Sequence, residues 1–186
     1  MTRKQYREAW DNAHKETPRI PLNVDIELSS ACNLRCPFCF LSNPKHKQVH
    51  RLMDWELAIC VINEAQRIGV PAIKFGWRGE STLNPNFSRI VEYAAQFSFH
   101  DLLINTNGNY GDHAIAGMMA CTKVMFSLDS TVEATYNNIR VGGDMLKVLD
   151  NISKLIKLGH TGIWVRRVIS DQNQSEDFSG NVKRIF

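Results

Sequence analysis

An α/β fold, built as a partial (βα) TIM-like barrel of about five to six parallel strands with helices outside and a polar lumen, is what this 186-residue sequence predicts. Three observations predict it. Strand-like and helix-like segments alternate about five times with short connections, the pattern of parallel βα units with right-handed crossovers. Each strand candidate is apolar at one parity and polar at the other, whereas an open sheet covered by helices on both faces would read as near-continuous apolar runs. Finally, the polar clusters collect at the C-terminal ends of the strands, where chemistry gathers in barrels of this type.

Taken in order, residues 3–16 place Tyr6, Trp10 and Ala13 at helical spacing and predict an amphipathic leader helix, ended by the prolines of Thr17-Pro18-Arg19-Ile20-Pro21. Residues 1–23 are therefore expected to be a helical extension and 24–186 the barrel core. Val24 to Leu28 alternates strictly and predicts the first strand. Asp54 is a candidate N-cap for a helix over 55–68, closed by Gly69 and Pro71. Ala72 to Gly76 predicts strand two, 85–98 a helix and 101–106 strand three, with Asn107-Gly108 as its turn. A helix over 112–120, strand four over 124–129, helical patterns over 132–139 and 145–158, strand five over 163–170 and a helix over 175–186 complete the chain.

Parity assigns the faces. Val24, Ile26 and Leu28 oppose Asp25 and Glu27; Ile73 and Phe75 oppose Lys74; Leu102 and Ile104 oppose Asn105 and Asn107; Val124, Phe126 and Leu128 oppose Ser127 and Asp129. On strand five the same rule sends Arg166, rather than Arg167, into the lumen. Asp25, Glu27, Lys74 and Arg166 are thus candidate substrate residues, with a mutually satisfied ion network as the other reading, because buried charges must be paired in either case.

Between strand one and the next helix lies Cys32-Asn33-Leu34-Arg35-Cys36-Pro37-Phe38-Cys39, three soft thiolates on one short loop. At this spacing they can ligate one iron–sulfur cluster or one metal ion, and three protein ligands leave a fourth position open for substrate or cofactor. The alternative is structural zinc with His46 or His50 as fourth ligand. Three of the five cysteines fall within eight residues, which suits ligation in a reducing compartment better than disulfides. Cys60 and Cys121 are expected to be small buried hydrophobes.

Bulk properties exclude little. A net charge of +3 is too small to argue for nucleic acid, although Lys45, His46, Lys47, His50 and Arg51 form a local basic run, either a solvated face or an anion-attracting rim. The N-terminus has no apolar h-region and no run approaches the roughly 18 apolar residues of a membrane span, so a cytoplasmic protein with no membrane partner is expected.

The cysteine motif, with aromatic Phe38 just before its last cysteine, resembles the cluster motif of the radical S-adenosylmethionine (radical SAM) superfamily. Trp77-Arg78-Gly79-Glu80 resembles that family's Gly-Gly-Glu motif, with Arg78 where the first glycine often stands. Asn105-Thr106-Asn107-Gly108, Phe126-Ser127-Leu128-Asp129 and Tyr136 to Gly143 are similar to later stretches, especially in members with an auxiliary-cluster extension. The similarity spans about 24–173.

The resemblance implies that Cys32, Cys36 and Cys39 bind a [4Fe–4S] cluster whose fourth iron chelates S-adenosylmethionine. It implies that Gly79 and Glu80 hold the methionine ammonium, Ser127 and Arg140 its carboxylate, Asp129 and Asn105 the ribose hydroxyls, and the backbone around Phe38 the adenine. The implied activity is reductive cleavage of S-adenosylmethionine to a 5′-deoxyadenosyl radical that abstracts hydrogen from a polar small-molecule or peptide substrate, with an electron donor such as flavodoxin or ferredoxin. Arg51, Arg78 and the basic run favour an anionic substrate.

The family's usual core has six βα units and this sequence supplies about five, so a protein partner or second copy closing the barrel, or an early end, is expected. No cysteine follows Cys121 to build an auxiliary cluster. A glycyl-radical-enzyme activase and a non-catalytic iron–sulfur or zinc-binding module are the competing functions.

Overall fold

A computed structural model describes residues 1–45 and 49–186. The basic run and the candidate zinc ligand His46 therefore lie partly outside the described residues. Five parallel strands, β1 (Val24–Ile26), β2 (Ala72–Phe75), β3 (Asp101–Thr106), β4 (Lys123–Ser127) and β5 (Ile163–Arg166), form one sheet in sequence order. The helices are α1 (Arg3–Asn12), α2 (Trp55–Ile68), α3 (Phe87–Ala94), α4 (Ile115–Ala120), α5 (Glu133–Ile139), α6 (Met145–Lys157) and α7 (Phe178–Ile185). The sequential strand order with helical crossovers gives the partial-barrel α/β architecture that the sequence predicts.

Register confirms the parity argument. Asp25 pairs with Lys74, Lys74 with Leu103, Asn105 with Met125, Met125 with Trp164 and Ser127 with Arg166, so these side chains share the concave face. The other parity, Ile26, Ile73, Phe75, Ile104, Val124 and Phe126, is buried beneath the helices. That face meets apolar stripes on the crossover helices, as with Ala58, Ile62 and Ala65 of α2 or Val148, Ile152 and Leu155 of α6. Arg166 is exposed on the lumen side, whereas Arg167 turns away and donates to the backbone carbonyls of Asn173 and Glu176. The lumen is less uniformly polar than the pattern suggests, since Leu103, Met125 and Trp164 also face it.

Several elements are shorter than their patterns. The strand expected over 24–28 pairs only to Ile26, and that over 163–170 only to Arg166, because the chain leaves the sheet once its partner strand turns away. The helix over 112–120 begins as a 3₁₀ turn at Asp112–Ala114, and that over 85–98 is reduced to α3. Cys121 is buried as expected, but Cys60 is exposed, since it stands off the Ala58–Ile62–Ala65 stripe that α2 buries. Where sequence signals coincide, boundaries match: Asp54 caps α2 through the Leu57 N–H at 2.7 Å, and Gly69 ends it in the left-handed conformation.

The leader helix covers the N-terminal ends of the strands. Asp101, the first residue of β3 and 1% exposed, accepts from Arg7 at 2.6 Å and Arg3 at 3.1 Å on α1, and pairs with Lys123 at 3.5 Å. Tyr6 packs beside them in a small cluster with Leu22 and Ala72 and stacks on His100. Both arginines reach solvent, so the network is worth only about 1 kcal/mol after screening. Asp101→Asn is accordingly expected to lower global stability slightly while releasing α1. Limited trypsin digestion checks this: cleavage at Arg3, Lys4 and Arg7 should accelerate several-fold over the wild type.

No helix among the described residues is long and apolar enough to cross a membrane.

Candidate functional site

At the C-terminal ends of β1 to β4 a single cleft is lined by the Cys32, Cys36 and Cys39 side of the first loop, by Trp77, Arg78, Gly79 and Glu80 after β2, by Asn105, Thr106 and Asn107 of β3, by Ser127 of β4, and by Phe38 and Arg140. Of the residues proposed from sequence for cluster and cofactor, all but Asp129 line it. Residues as far apart as 32 and 140 meet because parallel strands deliver their C-terminal loops to one rim.

The first loop is held from several directions. Ser30 exchanges hydrogen bonds with the 49–51 segment, its Oγ donating to the Val49 carbonyl at 2.6 Å and accepting from the Arg51 N–H at 2.9 Å. Arg35 N–H donates to the Val141 carbonyl at 2.8 Å, and Asn33 Nδ2 to the Asn109 carbonyl at 2.9 Å. The Arg35 guanidinium also donates to the carbonyls of Cys32 and Leu34. From the other side Glu80 N–H donates to the Ala31 carbonyl at 2.7 Å. Gly79 makes this approach possible: a Cβ there would overlap the Ser29 carbonyl oxygen and lie 2.5 Å from that of Ala31.

Glu80 is buried with both carboxylate oxygens engaged. One accepts from Thr82 Oγ1 at 2.8 Å, Thr106 Oγ1 at 2.9 Å and, more weakly, Thr82 N–H; the other accepts from Asn107 N–H at 2.8 Å. Burial pushes its pKa up, and these four donors hold the rise back. The carboxylate thus ties the loop after β2 to the end of β3.

Asp129, expected at the ribose hydroxyls, stands behind the cleft wall rather than on it. It is fully buried at positive φ, 55°, and its carboxylate accepts from Arg140 Nε at 2.5 Å and from Val168 N–H at 2.7 Å. Its position suits it to hold Arg140 rather than to reach a ligand, because both oxygens are turned to the protein. Parity alone put Asp129 on the lumen face, but the strand ends at Ser127 and the left-handed turn redirects the side chain. Arg140 in turn places Nη1 3.7 Å from Cys36 Sγ and its guanidinium 5.3 Å from the centre of the Phe38 ring. Burial opposes its charge, but Asp129 and Cys36 outweigh that and keep it firmly protonated.

The thiols receive N–H donors: Leu34 N–H at 3.5 Å and Asn107 Nδ2 at 3.8 Å on Cys32, and Arg140 on Cys36. Burial pushes the Cys32 and Cys36 thiols up, and these donors pull them back. Among the described residues no three His, Cys, Asp or Glu side chains converge to hold one metal ion. The three thiols instead share the wall of one cleft.

The candidate substrate charges separate into pairs and one exception. Asp25 and Lys74 pair at 2.7 Å; Glu27 grips Arg78 at 2.6 and 3.1 Å, and this guanidinium holds the Glu27 carboxyl below its usual range. Arg166 has no such partner among the described residues. Sequence reading missed Asn107 as a linchpin, although it sat in the Asn-Thr-Asn-Gly stretch. Its side chain also donates to Asn33 at 2.7 Å and accepts from Asn109 N–H at 2.8 Å. An asparagine beside a glycine reads as turn chemistry, and only the fold shows what it touches.

A family model described as the radical SAM superfamily matches residues 26–179. A GTP 3′,8-cyclase of Clostridium botulinum is 26% identical over 166 residues, covering 86% of this chain and 52% of the relative. A mycofactocin maturase, MftC, of Mycobacterium ulcerans is 26% identical over 173 residues, covering 88% of this chain and 45% of the relative. The chain thus spans about half the length of these curated relatives. Among solved structures, Streptococcus suis SuiB bound to precursor peptide SuiA aligns over 98% of this chain and 40% of its own, with a TM-score of 0.71 at 17% identity. Native anSMEcpe with bound AdoMet aligns over 88% and 49%, with a TM-score of 0.70 at 20% identity. These likenesses establish the fold.

Proposed function

The chain belongs to the radical SAM superfamily, and from that premise we propose that it is an enzyme that binds a [4Fe–4S] cluster and S-adenosylmethionine in the cleft above β1 to β4. The observation that carries the reading is the shared cleft itself: Cys32, Cys36 and Cys39 line it together with Gly79, Glu80, Ser127 and Arg140.

The donor set fits the cofactors. A cubane cluster asks for three thiolates each serving a different iron, and so for thiols spread along a wall rather than gathered on one point. N–H groups from Leu34, Asn107 and Arg140 offset thiolate charge. When bound, the reduced cluster and S-adenosylmethionine supply a 5′-deoxyadenosyl radical that takes a hydrogen atom from substrate.

The protein's own tasks are positioning and shielding. Arg140, braced by Asp129, and Ser127 are suited to the methionine carboxylate, a guanidinium and a hydroxyl facing one cleft. Because the Glu80 carboxylate is already engaged, the acceptors left for the methionine ammonium are the backbone carbonyls of the loop that Glu80 holds in place. Asn105, exposed at the rim, is suited to ribose hydroxyls, and Phe38 to the adenine side. The concave face of β1 to β5 then receives the substrate, away from bulk water.

Anaerobic reconstitution with iron and sulfide, then reduction with S-adenosylmethionine present, tests the proposal. Formation of 5′-deoxyadenosine is the expected result; a protein that assembles the cluster yet leaves S-adenosylmethionine intact would overturn it and favour an iron–sulfur binding module. Reconstitution should also depend on pH. Burial holds Cys32 and Cys36 protonated in the metal-free chain, and ligation needs thiolates, so assembly releases protons. The rate of iron incorporation is expected to rise between pH 7 and 9, followed through the cluster's visible absorbance.

A further inference from the structure

Among the described residues, Lys74, Arg78, Lys123, Arg140 and Arg166 face the lumen or the cleft, and each of the first four meets a carboxylate: Lys74 meets Asp25, Arg78 meets Glu27, Lys123 meets the Asp101 it shares with Arg3 and Arg7, and Arg140 meets Asp129. Arg166 is the fifth. Its side chain is exposed on the concave side of β5 and makes no ion pair or hydrogen bond among the described residues. Register sets it directly beside Ser127, which lines the cofactor cleft. Two residues earlier on the same face stands Trp164, 57% exposed, with Met125 beside it in register. Strand geometry separates Trp164 and Arg166 by roughly 7 Å.

An exposed arginine alone is ordinarily a solvated cation. Here it is, among the described cations on the concave faces of the strands, the one with no carboxylate beside it, which leaves a positive potential at that point. An exposed tryptophan in the middle of a strand, on the same face, is equally uneconomical unless something covers it. A guanidinium recognises phosphate or carboxylate by a forked pair of N–H donors, and an indole offers a flat apolar platform.

Resting on the proposed function, we infer that Arg166 and Trp164 form the substrate anchor and that the substrate is a small molecule bearing a phosphate or carboxylate beside a flat or apolar group. Arg166 takes the anion and Trp164 the adjoining face. The register with Ser127 keeps the anchored molecule next to the cofactor cleft.

The test uses the cluster-loaded protein with S-adenosylmethionine bound and calorimetric titration of matched probes: guanosine 5′-monophosphate against guanosine, benzoate against benzamide, and inorganic phosphate. The anionic member of at least one pair should bind at least tenfold more tightly, and which pair shows it separates a phosphate from a carboxylate substrate. In Arg166→Gln the preference should fall to within twofold, and in Arg166→Lys it should largely persist. Trp164→Leu should weaken the ring-bearing anion at least threefold and leave inorganic phosphate within twofold. A wild type indifferent to charge, or Arg166→Gln with the preference intact, overturns the inference. So does a tenfold loss of S-adenosylmethionine affinity in Arg166→Gln, which would assign Arg166 to the cofactor, and so does an acidic hexapeptide that outcompetes both small anions. Failure of the proposed function reads differently: no 5′-deoxyadenosine from the wild type removes the reaction, while the anion preference stands or falls by itself.

Discussion

Gly79→Ala is expected to lose more than half of the iron that the wild type incorporates, and to lose S-adenosylmethionine cleavage with it. The reason is a backbone-to-backbone approach with no room for a methyl group. A Cβ would collide with the Ser29 carbonyl and stand 2.5 Å from the Ala31 carbonyl, and neither can yield as a flexible side chain would. Relief requires the loop after β2 to withdraw, which breaks the 2.7 Å hydrogen bond from Glu80 N–H to Ala31 and separates the cysteine loop from its neighbour. Overpacking of this kind costs about 3 kcal/mol. For a chain of this length that lowers Tm by about 6–12 °C. Iron quantitation together with thermal melts of the metal-free protein checks both parts; full iron loading with an unchanged Tm would show that the loops do not need this contact.

Asp129→Asn attacks the site from beneath. The Asp129 side chain is fully buried and that of Arg140 is 12% exposed, so removing the carboxylate leaves a guanidinium out of water without its counter-charge. Asparagine tolerates the left-handed backbone at this position and can still accept from Val168 N–H, so the change isolates the charge. Loss of one partner of such a pair costs about 3 kcal/mol. Melting should fall by about 6–12 °C on the same conversion, and S-adenosylmethionine affinity by at least tenfold as Arg140 leaves its place beside Cys36. The double variant Asp129→Asn, Arg140→Gln separates the two effects. With no unpaired charge it should regain most of the lost Tm, yet it should not regain S-adenosylmethionine binding. A double variant as unstable as the single one would show that Asp129 matters for its turn and not for its charge.

Much of this site was legible in the sequence. Three cysteines in eight residues announce soft-ligand chemistry by spacing alone, because a short loop cannot keep them apart. Alternation along β1 to β5 placed Asp25, Lys74, Ser127 and Arg166 on one face, since the side-chain period of a strand is two whatever surrounds it. What local pattern could not reach was the direction of side chains beyond a strand's end. Asp129 follows the lumen parity of β4 in sequence, but one left-handed residue turns its carboxylate inward to Arg140. Asn107 reads as half of a turn and proves to join Cys32, Asn33, Asn109 and Glu80.

The cysteine and Gly-Glu motifs carried the resemblance to the family, while residue types, spacing and periodicity by themselves determined the parallel βα order and which strand faces look into the lumen, because each depends on neighbours a few positions apart. The tertiary structure decided which charges cancel and which do not. It paired Asp25 with Lys74, Glu27 with Arg78 and Asp129 with Arg140, left Arg166 without a carboxylate among the described residues, and pressed Gly79 against the cysteine loop. Those outcomes rest on ångström-scale distances between segments tens of residues apart, and Coulomb and contact energies exist only once the fold has set those distances.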